Sequence, residues 1–422
     1  MSLRGFGAAA RDVACRAGED SSERVGLKPS GARYRALVNS VTRVFLDAGG
    51  SAPLHPAAQQ ALDATFREGW AEPDRLHRES RRARLILDGA RQAIAAVIGA
   101  RTEEVFFAPS HVAALHNAMR GVARGRRRVG ADVVTTSVDR AALLNAAEFA
   151  AARGNGRHLL APVDGYGRVH VETMAAAVAS PGVALAAMQH ANGEVGTIQP
   201  VERIYSAAHD AHVPLLLDAG SSLGHLAQPD TWDLLTGNAA DWGGPAGIAF
   251  LAVRAGVRWT PDWPTDKDEG GWFPGGVSVP LALAAAASLE AVVRERPDSD
   301  AHRRALVELI RDTVPRTVPD VQVHGDPVDR LPHVVTFSCL YVDGEALLGE
   351  LEKFGIAVGS GSACTSESGK PSHVLAAMGA LTHGNVRVVL PRDASTAGVE
   401  RFLAVLPLAV QRVRNQIGAQ GL

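Results

Sequence analysis

Cys364 stands in the run Val358-Gly359-Ser360-Gly361-Ser362-Ala363-Cys364-Thr365-Ser366, a thiol among glycines, serines and other small side chains. A cysteine acts as a nucleophile through its thiolate, and only where a partner can reach it. Glycine-rich backbone can carry a sulfur atom between positions. The chemistry suited to this loop is therefore attack on a sulfur atom and its transfer as a persulfide. The plain alternative is a cysteine buried as a small apolar side chain, but a Gly/Ser/Thr/Glu loop is not a core environment. Three more residues could take part: Asp218 closing the apolar run Pro214-Leu215-Leu216-Leu217, Asn192 before Gly193, and Arg387 after Val386. A planar two-pronged cation such as Arg387 suits the gripping of a carboxylate. Alone, each reads as well as a strand-end cap, a turn former or a solvated strand edge.

The elements that must position these residues alternate along the chain. Short apolar strands are expected at Arg43–Leu46, Val105–Phe107, Asp132–Thr136, Val183–Met188, Pro214–Asp218 and Ile248–Val253. Between them, helical patterns run over Arg81–Gly99, Ala113–Val122, Arg140–Arg153 and Ile204–Ala211. Such alternation indicates an α/β fold with a mostly parallel sheet. A long Ala-rich helix, Pro280–Arg294, closes this part. Beyond it the order changes: helix 301–313, strands near 334–342, helix 345–354, strand 356–358, helix 371–378, strand 385–390 and helix 397–417. That pattern is a smaller α+β domain. Residues 1–42 have weak periodicity and read as an N-terminal extension whose composition fits partial disorder. The expected division is a large domain over 61–290 and a small domain made of 43–60 and 291–422.

At 422 residues and 46% hydrophobic composition, the chain is long enough for two domains with sizeable cores. A net charge of -2 gives no reason to expect nucleic acid or a membrane surface as partner. No apolar run approaches the roughly 18 residues of a membrane span. The three cysteines, Cys15, Cys339 and Cys364, are too few for a disulfide framework and lack metal-ligand spacing, so a cytoplasmic location and no metal are expected. Only Lys28, Lys267, Lys353 and Lys370 are lysines. Any chemistry that needs a lysine amine has four candidates.

Six segments in order, over roughly 43–415, carry a resemblance. They are Phe45-Leu46-Asp47; Gln189-His190-Ala191-Asn192-Gly193-Glu194-Val195-Gly196; Leu217-Asp218-Ala219; Gly244-Pro245-Ala246-Gly247-Ile248; Ser360–Ser366 around Cys364; and Val386-Arg387. In these the chain resembles pyridoxal phosphate (PLP)-dependent cysteine desulfurases of the NifS/IscS type, in the class V aminotransferase group. The resemblance implies the PLP-transferase fold type I: a large domain with a mainly parallel seven-stranded sheet flanked by helices, and a smaller α+β C-terminal domain. It implies a sulfur-accepting nucleophile at Cys364 and a carboxylate-gripping Arg387. It also implies an Asn192 that bonds the cofactor's phenolic oxygen and an Asp218 paired with the pyridinium nitrogen. A dimer is implied as well, either a homodimer or a heterodimer with an intact paralogue, together with a sulfur donor or acceptor protein.

Other positions depart from the family pattern. Counting back without gaps from Gly244, the Schiff-base lysine falls on Asp241 and the preceding histidine on Ala240. A carboxylate forms no imine with an aldehyde. The ring-stacking histidine falls on Asp139, and the small-residue phosphate turn on Ser110-His111-Val112. A glutamine becomes Ser221, and the partner subunit's phosphate-binding threonine corresponds to Val277. On these departures no cofactor is expected and PLP is unlikely to be one. The expected protein is then a cysteine desulfurase-like, PLP-independent sulfur transferase carrying a persulfide on Cys364, or a partner subunit in sulfur transfer. Two alternatives stand beside it: a non-catalytic scaffold, or a different enzyme reusing the emptied pocket. In the latter, Asp139, Asp218, Asp241, His111 and His190 would offer carboxylates and imidazoles for acid–base work or a metal.

Overall fold

The computed structural model describes residues 43–264, 268–361, 371–416 and 418. Cys364, Lys28, Lys267, Lys370 and the extension before residue 43 lie outside the described residues. The strands are β1 (Val44–Leu46), β2 (Val105–Ala108), β3 (Asp132–Thr136), β4 (His158–Ala161), β5 (Val183–Gln189), β6 (Leu215–Asp218), β7 (Leu234–Asn238) and β8 (Ala249–Val253). They continue with β9 (Asp268–Glu269), β10 (Phe273–Pro274), β11 (Val321–Val323), β12 (Val334–Cys339), β13 (Ile356–Val358) and β14 (Asn385–Val389).

Seven of them form one sheet in the order β2-β8-β7-β6-β5-β3-β4. All its pairings are parallel except those of β8, which runs antiparallel to both neighbours. The expected mainly parallel α/β architecture is therefore the observed one. Helices cover both faces, so the central strands are buried on both sides and read as continuous apolar runs. All seven residues of β5 are buried. The pleat sends alternate side chains to opposite faces. Val134, Met188, Leu215, Leu217 and Phe250 join one core cluster, and Val133, Leu185, Leu216 and Leu251 join another.

The helices are α1 (Pro56–Glu68), α2 (Arg78–Ile98), α3 (His111–Gly125), α4 (Ala141–Arg153), α5 (Val171–Val178), α6 (Val201–Asp210), α7 (Val279–Thr317), α8 (Gly344–Glu352), α9 (His373–Ala377) and α10 (Thr396–Gln416). Helices 280–294 and 301–313, expected as two, are one helix of 39 residues that passes through Pro297. Proline removes one backbone donor from a helix interior. Packing on either side, through Ala282 and Leu289 before it and Leu306 and Ile310 after it, keeps the helix continuous. Strands β4 and β7 and helices α1 and α5 were not expected from the sequence.

Three smaller sheets are found among the described residues: antiparallel β11-β12-β14, parallel β1-β13 and antiparallel β9-β10. A bridge between Gly359 and Arg387 links the end of β13 to β14. Thus β13 leads directly into the segment that bears Cys364.

Candidate active site at the carboxyl ends of the strands

In parallel α/β sheets, ligands sit beyond the carboxyl ends of the strands. Here β3, β5, β6 and β7 end side by side, delivering Asp139 and Arg140, Asn192 and Glu194, Asp218 and Ser221, and Asn238 and Asp241. A cavity of about 380 Å³ lies there, lined by Arg140, Asn192, Glu194, Ser221, Asp241 and Arg387, among others.

Asp218 is the electrostatic centre. It is 1% exposed. Its oxygens meet His111 Nε2 at 3.1 Å and Arg140 Nε at 2.5 Å, and Gly220 N–H donates to Oδ1 at 2.8 Å. Burial alone would push its pKa up, but Arg140, His111 and Gly220 outweigh that and hold the carboxyl below the usual range. Arg140 also donates to Ser221 Oγ at 3.2 Å. His111 lies in the first turn of α3, where Ser110 caps the helix by accepting from Ala113 N–H at 3.1 Å. The imidazole also lies 3.1 Å from Thr236 Oγ1.

Asp241 sits on a short helical turn after β7. It accepts from Gly50 N–H at 2.8 Å and from Asn238 Nδ2 at 2.5 Å. Burial raises its pKa, against the pull of Arg140 and His111. Asp139 is fully buried, and burial lifts it to about 7 despite the N–H groups of Gln189 and Thr136. Both its oxygens serve those two backbone donors, at 2.8 and 2.7 Å. That is the work of a turn, and Asp139 does not line the cavity.

Asn192 is also a turn residue. Its Oδ1 accepts from the N–H groups of Glu194 and Val195, each at 2.8 Å, and its Nδ2 donates to the Val138 carbonyl at 2.9 Å. His190 pairs with Ser222 Oγ at 3.0 Å, and burial pushes its imidazole down to about 4. Val112 is 48% exposed on α3. Val277 lines a separate cleft with Gly276 and Phe107. His190, Val112 and Val277 are thus not brought to the cavity. Arg387 is: it donates to Asp47 Oδ1 at 3.1 Å, and its buried Nε has no partner among the described residues.

Sequence reasoning missed Arg140, Glu194 and Ser372. Glu194 Oε1 accepts from Ser372 Oγ at 2.5 Å, and burial raises the pKa of this carboxyl. A Cβ on Gly361 would lie 2.2 Å from the same oxygen. Gly361 N–H donates to Asn385 Oδ1 at 2.6 Å. One signal was available: Glu194 lies inside the motif that carried the resemblance, and Arg140 directly follows Asp139.

Known proteins are similar to this chain over most of its length. The aminotransferase class-V family model matches residues 44–263 and 269–402. A cysteine desulfurase of Trichormus azollae is 30% identical over 381 residues, covering 88% of this chain and 94% of its own. One from Cereibacter sphaeroides is 32% identical over 385 residues, covering 88% and 97%. Among solved structures, a NifS-like protein superposes with a TM-score of 0.80 at 23% identity, over 88% of this chain and all of its own. The chain belongs to the class V aminotransferase family. Within it, the chain belongs with the NifS/IscS-type cysteine desulfurases.

Membership corrects one expectation. No cofactor was expected, yet the match to PLP-dependent cysteine desulfurases runs the length of the folded chain. That expectation rested on individual positions (Asp241, Asp139, Ser110–Val112, Ser221 and Val277), and these carry little weight against agreement over a whole fold. The site itself agrees in part with the family's cofactor. An ionised, buried carboxylate ends β6, and Arg140, Ser221 and Arg387 offer donors around the cavity. Of the lysines, only Lys353 is among the described residues; it ends α8, exposed and paired with Glu350 at 2.5 Å.

Proposed function

We propose that this chain handles sulfur as a persulfide on Cys364, as a sulfur transferase of the cysteine desulfurase family. The observation that carries the reading is the placement of both ends of the Cys364 segment beside Glu194. Ser372, after the Cys364 segment, donates to the Glu194 carboxyl that lines the cavity, and Gly361, before it, donates its N–H to Asn385 and leaves no room for a side chain beside that carboxyl. Only Ser362 and Ala363 separate Gly361 from Cys364, three steps along the chain and a reach of about 11 Å at full extension. Asp241, in this reading, occupies the place of the family's lysine. Its carboxyl offers no amine, so a cofactor at this site would be held by non-covalent contacts, with Arg140 and Ser221 as donors beside Asp218. PLP, when bound, supplies an electron sink.

The chain's own residues do the rest. Arg387, whose Nε has no partner among the described residues and whose guanidinium is part-exposed, takes the carboxylate of the sulfur-bearing molecule. The Cys364 thiolate attacks the outer sulfur of a persulfide donor. An Sγ–S bond forms, the donor's S–S bond breaks, and the donor leaves as a thiolate. A proton then joins either sulfur as pH dictates, and no net oxidation occurs. The donor or acceptor is a protein partner or a small persulfide, and a second subunit completes the assembly as in the family.

The test is peptide mass spectrometry after incubation with cysteine persulfide. One added sulfur atom on the Cys364 peptide is expected, and none in C364S. An unlabelled Cys364 alongside an intact, folded protein would reject the reading.

A further inference from the structure

Helices α3 and α4 both begin beside Asp218: His111 opens α3, Arg140 precedes α4, and each pairs with that carboxylate. At their other ends the two helices enclose a second cavity, of about 340 Å³. That is far above the roughly 10–15 Å³ one water needs on the same measure. It shares no lining residue with the cavity of the candidate active site. Arg124, on its wall, lies about 20 Å from His111 along α3.

Four arginines line this cavity: Arg120 and Arg124 on α3, Arg127 just after it, and Arg153 at the end of α4. Asp262, beyond β8, is the one acidic residue in the lining. Arg120 donates to its Oδ2 through Nε at 2.9 Å and Nη2 at 2.5 Å, and Arg124 Nη1 donates to Oδ1 at 2.8 Å. Both oxygens of that carboxylate are thereby engaged. Arg127 Nη1 donates to the Arg124 carbonyl at 3.1 Å, and the Arg153 guanidinium lies 5.6 Å from the centre of the Phe149 ring. Neither Arg127 nor Arg153 has a carboxylate partner among the described residues.

The helix dipole favours a cation near a carboxyl end. That accounts for Arg124 and Arg153, the basic residues in the last turns of α3 and α4. It does not account for Arg120 and Arg127, which reach the same cavity from the flank of α3 and the turn beyond it. Four guanidiniums against one carboxylate leave an excess of three positive charges in the lining. A guanidinium has five donors in a rigid fork, so most of those on Arg127 and Arg153 are unused. The rest of the wall is Ala123, Gly130, Ala131, Ala150 and Gly154, whose small size leaves the space open. One carboxylate would answer a third of the excess. Phosphate groups bring about one to two negative charges each and suit a two-pronged donor. Two adjacent phosphates therefore match the lining in charge and in number of unused forks.

We infer that this cavity binds the diphosphate group of a small molecule, one phosphate on Arg127 and the other on Arg153.

Isothermal titration of the full-length protein with pyrophosphate tests this, with orthophosphate, ADP and a short oligothymidylate as comparisons. Pyrophosphate is expected to bind one site per chain, and orthophosphate at least about tenfold more weakly, a difference of about 1.4 kcal/mol. R127A and R153A should each weaken pyrophosphate by a similar factor. Both side chains are exposed, so urea midpoints should hardly move. R203A removes an exposed arginine paired with Glu172 and should leave the affinity unchanged. ADP should bind as well; if it binds more tightly than pyrophosphate the source is a nucleotide, and if more weakly it is pyrophosphate itself. C364S should bind pyrophosphate as the natural protein does, so failure of the sulfur reading leaves this result intact. The inference is overturned by an absence of heat from pyrophosphate, by equal affinity for orthophosphate, or by unchanged affinity in either R127A or R153A. Equal weakening in R203A would reduce the effect to surface charge, and tighter binding of oligothymidylate would mark a nucleic-acid surface; each overturns it too.

Discussion

Glu194 and Ser372 meet at 2.5 Å, and this one carboxyl also lies where a side chain on Gly361 would have to go. Ser372 is thereby tied to the rim of the cavity, while Gly361 is held by its N–H on Asn385. G361A must push the Glu194 carboxyl aside. Overpacking of this kind costs about 1–3 kcal/mol. The expected result is a small drop in urea midpoint and a much larger drop in sulfur loading of Cys364, measured by mass spectrometry. E194Q keeps the size of the side chain and should restore loading in part, whereas E194A should not.

Asp218 is the most strongly stabilised charge in the site. Its side chain is fully buried between Arg140 and His111. Removing one partner of a buried pair leaves an uncompensated charge, at about 3–5 kcal/mol. D218N should therefore lower unfolding free energy by several kcal/mol. R140M should do so by less, because His111 and Gly220 N–H still serve the carboxylate.

Stability should fall on acidification between about pH 6.5 and 4. Burial pushes His190 and His324 down to about 4 and His225 down to about 3, and His333 also lies well below its ordinary value. In that window the unfolded chain takes up protons that the folded chain refuses. Each such group then lowers stability by about 1.4 kcal/mol per pH unit. Their contribution is present above pH 6.5 and lost as pH falls towards 4. Asp139, raised to about 7, acts the other way: its contribution is complete below the unfolded value near 3.8 and lost as pH rises through about 7. Urea midpoints across this range should decline towards acid. D139N should steepen the decline, and H190Q should flatten it.

The parts of the fold legible in the sequence are those where burial writes a simple pattern. β5 and β6 are buried throughout, so Val183–Met188 and Leu215–Asp218 stand out as apolar runs. β7 is as central, but Leu234-Leu235-Thr236-Gly237-Asn238 contains a glycine that only Phe250 and Leu223 explain: a Cβ there would come within 2.4 Å of the Phe250 ring. β4 is an edge strand and half exposed, so it carries little apolar signal. Of the site, Asp218 and Arg387 were legible through resemblance, and the structure brings both to the carboxyl ends of the strands or their neighbour β14. Asn192 shows the limit: the same residue serves a turn or a ligand, and only its hydrogen bonds tell them apart. Arg303, His225 and His333 are isolated in sequence, and nothing short of their packing puts two stacked imidazoles against a buried guanidinium.

Arg387 gives the last test. Its Nη2 meets Asp47 Oδ1 at 3.1 Å from the edge of β14, while Nε is buried without a partner among the described residues. A guanidinium used on one side only is poised for a second, planar acceptor, and lysine cannot supply that two-pronged geometry. R387K keeps the charge towards Asp47, so its urea midpoint should move by no more than about 1 kcal/mol in free energy. The half-saturating concentration of cysteine persulfide for loading Cys364 should nevertheless rise about tenfold or more, the loss of one charge-assisted hydrogen bond. A persulfide donor without a carboxylate should load both forms equally. If R387K slowed loading by that donor as well, Arg387 would be acting on the fold of the Cys364 segment and not on the donor.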